Sequence, residues 1–168
     1  MNKMKNIRKD DEYETPICAV KIIEPYLKPK SVIWCPFDKN HSSFVSYFKE
    51  KGHEVINSHI EYGQDFFSYP VPECDYIISN PPYSKKDDIY KRLFEIGKPW
   101  AMLVNLQGFC DGSKRARLFR ENGVEVIYIY PRICYIKDGV QTTSNIFQSG
   151  YVCHGVLPEK LMIDIMEK

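Results

Sequence analysis

No run of this sequence approaches the ~18 consecutive apolar residues that a membrane-spanning helix needs. The opening stretch, MNKMKNIRKDDEYETP, holds no apolar signal core. A cytoplasmic protein with no membrane partner is therefore expected. The six cysteines, Cys18, Cys35, Cys74, Cys110, Cys134 and Cys153, contain no C-x-x-C pair. His41, His53, His59 and His154 show no ligand spacing. Neither a metal site nor a disulfide framework is expected, and the thiols read as reduced core residues. Charge of one sign is missing too. Lys plus Arg is 23 and Asp plus Glu is 22, for a net charge of +1. Global charge thus says nothing about nucleic acid. There is no internal repeat, low-complexity run or linker.

What is present is an ordinary globular composition, 43% hydrophobic and 27% charged over 168 residues. That length predicts one domain over 1–168, with a polar leader over 1–14 expected to be flexible. It leaves no room for a separate target-recognition domain. Charge is uneven along the chain. Between Ser84 and Lys137 there are eleven basic and six acidic residues. Solvated helix faces and a polyanion-binding surface both account for that excess.

The hydrophobic pattern alternates strand and helix. TPICAVKIIEPYL reads as a helix, with Thr15 as N-cap and Pro16 at its first position. Ser31–Cys35 reads as a strand, 41–51 as an amphipathic helix and 54–57 as a second strand. DYIIS is a third strand and 86–97 a helix. WAMLVNL is a nearly continuous apolar strand, as a sheet covered on both faces requires. Residues 112–122 form a basic helix, followed by the strand VEVIYIY. Residues 131–143 read as a loop, 145–157 as one bent strand or two, and 158–168 as a short helix. Such alternation predicts an α/β domain with a mostly parallel sheet. Ligands of such sheets bind beyond the carboxyl ends of the strands. The loops 35–41, 57–67, 80–85 and 106–113 should therefore carry function.

Asn80-Pro81-Pro82-Tyr83 sits at one of those ends, after Asp75-Tyr76-Ile77-Ile78-Ser79. Two consecutive prolines remove two backbone donors and hold the chain extended, leaving carbonyls as acceptors. Asn80 adds an amide oxygen and Tyr83 a flat ring. This set suits a planar group bearing an NH₂. A proline-rich turn that merely ends a strand is the simpler reading of four residues alone.

SNPPYS resembles the catalytic motif of S-adenosylmethionine-dependent amino-methyltransferases, above all the small phage-type DNA adenine-N6 methyltransferases. Asp11-Glu12-Tyr13-Glu14-Thr15-Pro16 is similar to their D-x-[YW]-x-T-P start, and Gly63-Gln64-Asp65-Phe66-Phe67 to their stretch ending in D-F-F. The resemblance runs from residue 11 to about 130. It implies a Rossmann-like class I methyltransferase sheet with helices on both faces and an antiparallel C-terminal strand near 147–157. It implies methyl transfer to the exocyclic amine of adenine in DNA, by a protein of a phage or mobile element. Asn80, Pro81, Pro82 and Tyr83 would be catalytic. Tyr13, Thr15, Pro16, Pro36, Phe37, Asp65, Phe66 and Asn80 would bind S-adenosylmethionine. In that set Asp65 would accept from the adenine amine and Phe66 would pack on its face, with Phe67 in the core. A target base would have to be flipped out of a duplex. Lys114, Arg115, Arg117 and Arg120, at helical spacing, would contact phosphate.

Two features depart from the family pattern. The first loop, Cys35 to Ser42, has no glycine where the family carries an acid and G-x-G. The second strand ends in Asn57 rather than an acid. Asn57, His59 and Glu61 are the candidates for the ribose hydroxyls, and the sequence does not choose among them. RNA adenine and a protein glutamine amide remain alternative substrates. A catalytically inactive binding protein of the same fold is the other alternative. A partner chain or a homodimer could supply target recognition.

Overall fold

The computed structural model describes residues 13–143 and 147–167. The chain forms β1 (Val32–Cys35), β2 (Glu54–Asn57), β3 (Tyr76–Ser79), β4 (Trp100–Asn105), β5 (Glu125–Tyr130), β6 (Ile136–Lys137), β7 (Val140–Gln141), β8 (Ser149–His154) and β9 (Leu161–Ile165). The α-helices are α1 (Ile17–Lys21), α2 (Ser43–Glu50), α3 (Lys86–Ile96) and α4 (Ser113–Asn122). Seven strands make one sheet in the order β2-β1-β3-β4-β8-β5-β9. β2, β1, β3 and β4 run parallel, with α2 crossing from β1 to β2 and α3 from β3 to β4. β8 lies antiparallel between β4 and β5.

Both faces of the central sheet are covered. Ile33, Cys35, Ile78, Leu103 and Tyr151 pack beneath Ala19 and Val20 of α1 and Phe44 and Phe48 of α2. Trp34, Ile77, Trp100, Met102 and Val152 pack under Ile89 and Leu93 of α3 and Phe119 of α4. Each such side chain removed from water is worth about 1.5–3 kcal/mol, so the two clusters hold the layers together. Local signals agree with the helix bounds. Ser42 caps α2 by accepting from the Val45 N–H at 3.3 Å. Gly97 ends α3 in the left-handed region at φ 71°. In β8, Gly150 lets the Ile127 carbonyl and Leu106 come so close that a Cβ there would collide with both.

Several expectations require correction. Residues 158–168 were expected to be helical. Instead Leu161–Ile165 is a strand, parallel to β5 with Ile127 opposite Met162. The 131–143 loop contains the β6–β7 hairpin. Thr15 does not cap α1; Pro16 stands at that position with no side-chain bond. Of the leader, residues 1–12 lie outside the described residues, but Glu14 is held. Its N–H donates to the Ile136 carbonyl at 2.8 Å, and its own carbonyl accepts from Ile136 at 3.0 Å. Among the described residues no helix is long and apolar enough to cross a membrane.

Candidate active site

The buried strand β3 delivers Asn80 to the carboxyl rim of the sheet. Pro81 is buried, Pro82 is exposed and extended, and Tyr83 begins a short 3₁₀ turn into α3. Asn80 donates from Nδ2 to Oγ1 of Thr15 at 3.2 Å. Thr15 itself is buried. This bond ties down the amine half of the Asn80 amide and leaves Oδ1 as the acceptor on the other side of its plane. Thr15 thus serves Asn80, 65 residues away in sequence.

Tyr83 is 38% exposed and stands edge-on to Phe147, with ring centroids 6.2 Å apart. Phe147 in turn packs on Tyr135 at 6.1 Å, and Tyr135 meets Tyr13 at 6.3 Å. The Tyr135 hydroxyl donates to Ser149 Oγ at 2.8 Å, and burial raises its pKa. Lys86 lies 5.1 Å over the Tyr83 ring. Its pKa is lowered, first by burial and then by the nearby Arg115. Phe147 and Tyr135 were missing from the sequence reading. Only the fold brings them beside Tyr83, from 52 and 64 positions away, so nothing local marked them as site residues. Phe147 also lines an open cavity of about 480 Å³, with Leu106, Gln107, Tyr128, Arg132 and Gln148.

The first loop is built around an acid that the sequence reading passed over. Asp38 is 7% exposed, and its carboxylate accepts from Ser79 Oγ. Burial raises its pKa from 3.8 to about 6, while hydrogen bonds from Ser79 and Ser42 pull it down. Ser79 Oγ also accepts from the Phe37 N–H at 3.3 Å. The loop is thereby pinned to the residue just before Asn80. At the end of β2, Asn57 donates to the Asp38 carbonyl at 3.1 Å and to Asn40 Oδ1 at 2.9 Å. His59 accepts from the Glu61 N–H at 3.1 Å, and Glu61 pairs with Lys39 at 3.0 Å. Of the three candidates for the ribose position, Asn57 and Glu61 tie the second loop to the first, and the His59 bond shapes its own turn.

The D-F-F stretch needs a second correction. Phe66 is 3% exposed. It packs on Phe37 at 4.9 Å and Trp34 at 5.6 Å, with the Arg92 guanidinium 5.3 Å over its ring. It is a core residue, and it is Phe67 that is half-buried, under Lys85 at 5.0 Å. Half-buried Phe37 is the ring nearer the rim. Pro36 and Pro16 are buried, and Tyr13 is 39% exposed. Asp65 caps its own turn by accepting from the Phe67 N–H at 3.0 Å through Oδ1.

In α4, Lys114, Arg117 and Arg120 are exposed. Arg115 is not available to a phosphate, against expectation. It is buried, paired to Asp87 at 2.7 Å, and donates to the Phe109 carbonyl at 2.6 Å and the Gly108 carbonyl at 3.3 Å. It locks the 106–113 loop to α3. Among the described residues no three His, Cys, Asp or Glu side chains gather as a metal site.

No protein-family model matches the chain, and no curated protein matches it in sequence. Solved structures do. A protein described as the modification subunit of a type I restriction enzyme from Vibrio vulnificus YJ016 superposes with a TM-score of 0.54 at 9% identity. The match covers 88% of this chain and 45% of that one, so the chain spans less than half of that protein. The fold is Rossmann-like, of the class I methyltransferase type. A dimethyladenosine transferase from Plasmodium falciparum is a weaker match, with a TM-score of 0.48 at 14% identity over 84% of this chain and 62% of that one.

Proposed function

We propose that the chain transfers a methyl group from S-adenosylmethionine to the exocyclic amine of adenine in DNA. The observation that carries this reading is the Asn80–Thr15 bond at the carboxyl end of β3, which orients an amide oxygen at the rim. Asn80 Oδ1 and the Pro81 carbonyl would accept the two hydrogens of the amine. An aromatic amine is a poor nucleophile because its lone pair is delocalised into the ring. Two acceptors held in place draw the nitrogen toward a tetrahedral shape and localise that pair. Tyr83 offers a ring face for the extruded base, and such stacking is worth about 1–3 kcal/mol against the cost of flipping. When bound, the cofactor supplies an electrophilic methyl group. The amine nitrogen would bond to the methyl carbon as that carbon's bond to the sulfonium sulfur breaks, the sulfur keeping the electron pair as a neutral thioether, and the nitrogen would release one proton to water. Positioning and fixed dipoles carry the step, without a covalent enzyme intermediate.

The residues present fit that cofactor. Half-buried Phe37 lies against Phe66, the neighbour of Asp65. A flat ring beside a carboxylate whose Oδ2 is not the turn cap matches the face and amine of the cofactor's adenine. Tyr13, Thr15, Pro16 and Pro36 would close the methionine side. Exposed Lys114, Arg117 and Arg120, on the helix that follows the 106–113 loop, would meet the phosphates. The modification subunit that shares the fold suggests DNA over RNA or a protein amide as substrate.

One observation favours a second reading, a non-catalytic binding protein. The first loop has no glycine, and its acid turns inward to Ser79 rather than toward the rim. Isothermal titration with S-adenosylmethionine tests both. Saturable binding that Asn80→Ala retains and Asp65→Asn weakens by about tenfold or more supports the proposal. No binding by the wild type would leave only the second reading.

A further inference from the structure

We propose that Arg92 is a positioning residue for the cofactor's adenine, holding the turn 65–69 so that Asp65 presents its second carboxylate oxygen to the adenine amine. The proposal rests on the cofactor reading above. Arg92 lies on α3, the helix that begins directly after the Tyr83–Lys85 turn. It is half-buried, and two groups of a single loop hold its guanidinium. Nη2 donates to the Tyr69 carbonyl at 3.0 Å, and the guanidinium carbon stands 5.3 Å over the Phe66 ring. Among the described residues no carboxylate pairs with it.

A cation withdrawn from water ordinarily takes an acid as its partner. Here a carbonyl and a ring face take that place, and Nε is buried with no hydrogen-bond partner. An unpaired buried donor costs free energy, and nothing in the packing of α3 on the sheet requires it. What the guanidinium secures is the loop. The Asp65 carbonyl accepts from the Ser68 N–H at 3.0 Å and from the Tyr69 N–H at 2.7 Å, so residues 65–69 close into one unit. Phe66 sets the depth of that unit by packing on Phe37 and Trp34. Apolar contact is non-directional and leaves the unit free to rotate. The bond to Tyr69 and the planar stack over Phe66 are directional, and they fix the rotation.

That rotation decides where Asp65 points. Its Oδ1 is committed to the Phe67 N–H at 3.0 Å, so Oδ2 follows the orientation of the turn. Phe37, the ring proposed to lie beside the adenine, is held separately, through its N–H to Ser79 Oγ at 3.3 Å. Loss of Arg92 should therefore cost the contact to the adenine amine and leave the stacking in place.

Isothermal titration with two ligands tests this: S-adenosylhomocysteine, and its analogue with hydrogen in place of the adenine amine. Arg92→Met keeps the bulk of the side chain and removes the bond and the charge. It should weaken S-adenosylhomocysteine by about tenfold and the deamino analogue by less than about twofold. Arg92→Lys keeps the charge but not the planar fork, and should show the same selective loss at about threefold. In an Asp65→Asn background, Arg92→Met should cost less than about twofold more, because both side chains act on one contact. Each variant should keep the circular dichroism spectrum of the wild type. Equal losses for the two ligands, or additive losses in the double variant, would make Arg92 a structural residue only and overturn the proposal. Binding that Asp65→Asn weakens but neither Arg92 variant alters would overturn it while leaving the cofactor reading intact. A wild type that binds neither ligand would overturn the cofactor reading and this proposal with it.

Discussion

In the proposed reaction Asn80 would act through one half of its side-chain amide, and its bond to Thr15 sets which half. Thr15→Val removes the acceptor for Nδ2 and frees the amide to rotate. A neutral hydrogen bond is worth about 0.5–1.5 kcal/mol, so kcat should fall roughly 3–10-fold. KM for the cofactor should change less, and Thr15→Ser should recover most of the rate. Steady-state kinetics on the three proteins would show it; a change in cofactor KM alone would instead make Thr15 a cofactor ligand. Asp38 gives a stability prediction. Its folded pKa is raised from 3.8 to about 6, so the native state holds the proton more tightly than the unfolded chain. Stability attributable to this group is therefore greatest below pH 4 and declines as pH rises toward 6. The difference is at most about 3 kcal/mol. Asp38→Asn should flatten that decline and raise stability at pH 7, as read by urea unfolding across the pH range. Parallel profiles for the two proteins would contradict it. At this scale the sequence singled out Asn80 and Tyr83 as candidates, because the chemistry proposed for them is local to four residues. It did not disclose Asp38, whose importance comes from Ser79, 41 positions away. It also put Phe67 rather than Phe66 in the core, the reverse of their burial in the structure. Adjacent aromatics after a glycine turn differ only in which one the turn rotates inward.

Helix α4 was expected to present one basic surface, yet it divides its charge between two tasks. Arg115 turns inward to Asp87 and two loop carbonyls, while Lys114, Arg117 and Arg120 face out. A basic residue on a helix reads as solvated, and only tertiary partners say otherwise. Replacing Lys114, Arg117 and Arg120 with Ala should lower the slope of log affinity for duplex DNA against log salt by about 2–3. Folding should be unaffected. Arg115→Ala should instead loosen the 106–113 loop and lower the melting temperature. Fluorescence anisotropy at several salt concentrations would settle it, and an unaltered slope in the triple variant would remove this helix from the nucleic-acid surface. The last element shows a different limit. LMIDIM meets both a helical and a strand pattern over so short a stretch. What decides is the open side of β5, which offers Leu161–Ile165 a parallel ladder. The β-branched Ile163 and Ile165 fit that ladder.

For the whole molecule, the alternation of strands and helices was enough to foresee a mostly parallel sheet with its functional loops at one end. The sheet order and the antiparallel β8 between β4 and β5 conform to that expectation. Those loops do converge. Thr15, the first loop, Asn80 and the Tyr83–Phe147 pair meet at the rim through bonds that span 41 to 65 residues. Substrate choice is less legible, because acceptors for a planar amine serve adenine and an amide alike. The most direct test is methyl transfer from labelled S-adenosylmethionine to duplex DNA, to RNA and to protein, followed by hydrolysis and chromatography of the product. Label recovered as N6-methyladenine from DNA, with at least a hundredfold loss in Asn80→Ala, is the predicted result. Label in none of the three, or activity undiminished by Asn80→Ala, would contradict it.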